Sequence, residues 1–115
     1  MFNTTTAQGA HAEGYGNSVG GTSSEPENPA PTAPGLGAYA HAEGNFNWVK
    51  GNGAHGEGYN NWAKGSNSHA EGYQNKIHDG SALSHAEGSN NQIYAVNSHA
   101  EGNGNIIGAE SDETN

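Results

Sequence analysis

Apolar residues are sparse along this chain, and they are phased. Val19, Val49, Ala63, Ile77, Ile93 and Ile107 each stand eight positions after a histidine: His11, His41, His55, His69, His85 and His99. Each of these histidines opens the tetrapeptide HAEG, or HGEG at His55. The intervals are 30, 14, 14, 16 and 14, so the unit is 14 residues, lengthened once by sixteen and once by two. Other positions keep step. Gly stands three after each His, Asn six after (Asn17, Asn47, Asn61, Asn75, Asn91, Asn105), and a small residue one before. No window shows the 3.6-residue period of an amphipathic helix, and 14 residues are too few for a helix pair.

Two short strands joined by two tight turns fit each unit. The first strand reads Ser68-His69-Ala70-Glu71-Gly72, which places the small side chains on one face and His with Glu on the other. The second reads Asn61-Trp62-Ala63-Lys64-Gly65, with Asn, Ala and Gly inward and Trp with Lys outward. The fold class predicted is all-β, a parallel β-roll or solenoid of 14-residue rungs. Rungs stack about 4.8 Å apart, so six span roughly 29 Å. The inward Asn column fits an amide ladder that bonds rung to rung. A calcium-binding nonapeptide roll needs regularly placed Asp, and the chain has only Asp79 and Asp112.

Composition by itself points the other way. Leu, Ile, Val and Phe together number eleven among 115 residues, and the net charge is −9. Without the repeat that would indicate disorder; stacking of small residues and association with other chains are what a repeat adds. One copy buries little apolar surface at roughly 25 cal/mol per Å², so association with further copies of the chain is expected. The absence of Cys excludes disulfides, zinc-thiolate sites and a thiol nucleophile. With no Arg and three Lys, partners are not expected to include nucleic acid. No apolar run reaches membrane-spanning length, so no membrane insertion is expected, and Met1 to Ala10 lacks the basic start and apolar centre of a secretion signal.

Register divides the chain. Residues 1–8 read as a polar arm outside the repeat, 9–21 as the first rung, and 22–38 as a Pro-rich loop holding every proline (Pro26, Pro29, Pro31, Pro34). A ladder excludes Pro because it lacks a backbone donor. Residues 39–109 carry rungs two to six, with a wider turn at Asp79-Gly80, and 110–115 form an acidic tail.

A 14-residue repeat centred on small–X–Ala–X–Gly, followed by Asn and an apolar residue, resembles the head repeat of YadA-like trimeric adhesins. Its Ser-His-Ala-Glu-Gly form is similar to repeat regions in bacteriophage and prophage tail fibres. The likeness covers roughly residues 9–21 and 39–109. It implies a trimeric β-roll in a tail fibre or adhesin head, located in a virion tail fibre or at a cell surface. Where the family has an apolar pair, this chain has His and Glu.

Two constellations carry candidate chemistry. The first is the set of His-X-Glu pairs: His11 with Glu13, His41 with Glu43, His55 with Glu57, His69 with Glu71, His85 with Glu87, and His99 with Glu101. They form either a structural ladder, each His bonding a neighbouring Glu, or a divalent metal site, since imidazole and carboxylate suit zinc and similar cations. No other cofactor is expected. Glu columns at this spacing should raise the His pKa and make the fold more stable near pH 6 than pH 8. The second constellation is the outward ribbon of Trp48, Lys50, Trp62, Lys64 and Tyr94, suited to a host cell-surface glycan or protein. Tyr15, Tyr59 and Tyr73 read as structural turn residues. Six near-identical copies argue against a catalytic centre, which is ordinarily one asymmetric constellation. The expected function is therefore non-enzymatic: a structural, receptor-binding fibre segment, or alternatively a metal-organised self-assembling solenoid.

Overall fold

The computed structural model describes residues 3–20 and 37–108. Each HAEG motif forms a five-residue strand: His11–Tyr15 (β2), His41–Asn45 (β4), His55–Tyr59 (β6), His69–Tyr73 (β8), His85–Ser89 (β10) and His99–Asn103 (β12). The apolar position eight residues after each His closes a two-residue strand: Ser18–Val19 (β3), Trp48–Val49 (β5), Trp62–Ala63 (β7), Lys76–Ile77 (β9), Gln92–Ile93 (β11) and Ile106–Ile107 (β13). A further strand, Thr4–Thr5 (β1), precedes them. The long strands build one parallel sheet in the order β12-β10-β8-β6-β4-β2, and the short strands build the other, β1-β3-β5-β7-β9-β11-β13. The molecule is an all-β solenoid of about six turns, with identical motif residues facing each other across every pair: His on His, Glu on Glu, Gly on Gly.

Alternation along the long strand explains the core. Ala42, Ala70, Ala86 and Ala100 point inward and are buried, while the flanking His and Glu stay on the outer face. From the other sheet Val19, Val49, Ala63, Ile77 and Ile93 meet them and are fully buried. The interior is thin because an alanine column faces a single medium-sized column.

Asparagine supplies what apolar burial lacks. The Asn61 amide donates to its own rung's Glu57 carbonyl (2.7 Å) and to the Gly72 carbonyl of the next rung (2.9 Å). Its Oδ1 accepts from the backbone N of Asn75 at 2.8 Å. The pattern repeats at Asn17, Asn47, Asn75 and Asn91, all buried, and every one of these polar atoms is thereby paired. The motif Gly serves the same contact. Gly72 sits at φ 114°, outside the range of L side chains, and a Cβ there would strike the Gly88 carbonyl oxygen.

Three boundaries read from the sequence are corrected. Within the polar arm, Asn3 already occupies the asparagine column, its Oδ1 accepting from Asn17 N at 2.9 Å, and Thr4–Thr5 pairs with Ser18–Val19. The sequence hides this half-rung because no HAEG precedes it. The Pro-rich loop ends earlier than residue 38. Ala38 N donates to Asn52 Oδ1 at 3.0 Å, and Tyr39 N donates to the Gln8 carbonyl at 2.9 Å, so both belong to a turn of the second rung. The second strand of each rung is two residues long, not five, because the chain turns at once after the buried position. The wider turn at Asp79-Gly80 is present. Residues 21–36, with all four prolines, and the tail from 109 lie outside the described residues. Among the described residues no helix is long and apolar enough to cross a membrane.

Candidate functional site

Because His and Glu share the outer face of the long strands, stacking turns the six motifs into two parallel columns. From His41 to His99 the imidazoles stack face to face, with centroids 4.6–5.0 Å apart and planes within 4° of parallel. His11, at the end, turns its ring 81° from that of His41. Stacked rings present edges, and the Nε2 edge faces the carboxylates. Each Nε2 lies near a Glu of its own rung, of the preceding rung, or of both. His69 is 3.2 Å from Glu57 and 3.8 Å from Glu71; His85 is 3.6 Å from Glu71 and 3.4 Å from Glu87. His41 and His55 reach back to Glu13 and Glu43 at 3.9 and 3.8 Å, and His11 and His99 sit 3.6 and 3.5 Å from Glu13 and Glu101.

Of the structural ladder expected from sequence, one true hydrogen bond forms among the described residues, His69 to Glu57. The Nε2 atoms of His41, His55 and His85 are shielded from solvent and make none. They are polar atoms held beside carboxylates without a bonding partner. Four groups of two His and one Glu have ligand atoms within 4.8 Å of one another: His11-Glu13-His41, His41-Glu43-His55, His55-Glu57-His69 and His85-Glu87-His99. On the far side of the Glu column an open groove of about 590 Å³ runs over the motif glycines from Gly58 to Gly102.

The pH expectation is overturned at His55. Burial is the larger influence, repulsion from a charged His69 adds to it, and attraction to Glu57 is smaller, so its pKa lies below the ordinary imidazole value. The sequence shows the Glu column plainly but hides that the His55 imidazole is half-buried between the rings of His41 and His69.

The ribbon of Trp and Lys is also revised. Trp48 and Lys50, expected outward, are only 3% and 4% exposed. Trp48 packs edge-to-face on Trp62 with centroids 5.3 Å apart. The Lys64 ammonium sits over both rings at 4.4 and 4.3 Å, and that of Lys76 over Trp62 at 4.4 Å. Lys50 reaches Asp79 of the wider turn at 2.8 Å. Burial outweighs the pull of Asp79 and lowers the pKa of Lys64. Trp62, Lys64 and Tyr94 remain part-exposed. Beside them, at the ribbon position one rung on from Lys64, His78 stacks on Tyr94 at 4.1 Å and bonds Gln92 at 3.0 Å. Burial lowers the His78 pKa against that hydrogen bond.

A third feature joins the three turn tyrosines read from the sequence with Phe46, which was missed because it stands one repeat position further on. Tyr15, Phe46, Tyr59 and Tyr73 form one ridge along the turn, each 42–49% exposed, with neighbouring centroids 5.4–6.1 Å apart. No protein-family model matches the chain, and no curated protein is similar enough to it to count as a match.

Proposed function

We propose that this chain is a non-enzymatic structural segment of a phage tail fibre or an adhesin head, a homotrimer that presents a receptor-binding surface. The observation that carries the reading is the uninterrupted register. Every long strand pairs in parallel with the neighbouring repeat, so the described residues present a periodic surface and hold, among them, no unique asymmetric centre of the kind catalysis needs. Association is assigned to the aromatic ridge, since Tyr15, Phe46, Tyr59 and Tyr73 are half-exposed and side by side. Trp62, Lys64 and Tyr94 are left for a cell-surface glycan or protein. Mass by light scattering tests the reading. A trimer that Tyr59→Ser with Tyr73→Ser converts to smaller species supports it, and a folded monomer at micromolar concentration removes it.

The His-Glu-His groups favour a second reading, in which divalent metal rather than apolar contact holds chains together. A chelator that dissociates the assembly would select it.

A further inference from the structure

The histidine column has six members and each imidazole offers one Nε2, so the number of ions the ladder could hold is a matter of arithmetic. Adjacent triads share a histidine: His41 belongs with Glu13 and with Glu43, and His55 with Glu43 and with Glu57. A shared nitrogen cannot serve two ions. Three of the four triads share nothing, namely His11-Glu13-His41, His55-Glu57-His69 and His85-Glu87-His99. Using His41-Glu43-His55 instead would consume members of two of them and leave one fewer site.

We propose that each chain binds three divalent transition-metal ions, one in each of these three disjoint two-histidine, one-glutamate triads, leaving the gaps between them empty. The donor set selects the ion class. Two imidazoles and one carboxylate suit zinc, nickel, cobalt or copper, whereas calcium and magnesium prefer all-oxygen shells. Open positions beyond the three protein ligands are filled by water, as in other three-ligand sites.

Geometry explains the alternation. The rings of His55 and His69 are 4.6 Å apart and those of His85 and His99 are 5.0 Å apart. Two zinc–nitrogen bonds meeting at a tetrahedral ion span about 3.4 Å. The paired rings must therefore tilt together, which the fixed backbone permits at the side chain, and each tilt draws a ring away from its other neighbour. A filled site thus widens the next gap. The Nε2 atoms of His41, His55 and His85, one from each triad, are shielded from solvent and lack a hydrogen bond. The inference does not rest on the fibre reading, because each triad is built by a single chain.

Calorimetric titration of the intact chain with zinc chloride at pH 7.5 tests it, with native mass spectrometry counting the ions. Three ions per chain are expected, with magnesium and calcium failing to compete at tenfold excess. His55→Gln should bind two. Glu57→Gln, which keeps the side chain's shape, should weaken one site of three by at least tenfold. Glu71→Gln, outside all three triads, should keep three sites and shows that a substitution in the column leaves the fold competent. Six equivalent ions, a fraction of an ion per chain as on a three-fold axis, no binding, or three ions retained in His55→Gln would each overturn the proposal.

Discussion

Asn75 shows how much one residue carries in a protein with so little apolar surface. Its amide donates to the Glu71 and Gly88 carbonyls, and its Oδ1 accepts from both nitrogens of Asn91. Asn75→Ala would orphan several buried groups at once. The expected loss is about 3–4 kcal/mol, read from a urea titration. Leu83 is the opposite case: it is 60% exposed at φ 58°, where a branched side chain is strained and buries little. Asn already holds the equivalent turn position at Asn67 and Asn97, at φ 54° and 53°. Leu83→Asn should therefore raise stability by about 1 kcal/mol, seen as a higher melting temperature.

At the scale of a strand, the motif glycine and the histidine column set the limits. Gly72→Ala combines a positive φ with a clash against the carbonyl of the next rung, and should cost about 3 kcal/mol or prevent folding, as far-ultraviolet circular dichroism would reveal. The pH dependence follows from His55 and His78, whose folded pKa values lie below that of the unfolded chain. Between the two values the unfolded state binds more protons, so stability rises with pH there. The contribution is complete above the unfolded value near 6.5 and is lost as pH falls through the folded one. A metal-free sample should melt at a higher temperature at pH 8 than at pH 5. The reverse order would mean that attraction to the Glu column outweighs burial after all.

For the whole molecule, the two residues that flank the long insertion meet on the solenoid. A Cβ on Gly37 would lie 2.7 Å from the Gly20 Cα, so the two glycines are neighbours in space. Removing residues 21–36 and joining Gly20 to Gly37 restores a 14-residue interval between His11 and His41 and needs only the span of one peptide, about 3.8 Å. The shortened chain is expected to keep the same circular dichroism spectrum and a cooperative melt. Loss of both would make the insertion part of the fold.

Period and alternation were legible in the residues themselves. Fourteen-residue spacing fixed which side chains stack, and strand alternation fixed which of them turn inward, because both depend only on local geometry repeated along the chain. That is why the Ala, Val/Ile and Asn columns, and the His/Glu face, follow directly from the sequence. The half-rung at Asn3 escaped because it carries the column's Asn without its motif. What tertiary structure alone decided are the properties that arise between rungs and between faces. Burial of Trp48 and Lys50, the reach of Asp79 back to Lys50, and the desolvation of His55 by its stacked neighbours each depend on surroundings drawn from several turns. A residue's repeat position determines its direction, but its solvent exposure, and with it its charge, is set by everything packed around it.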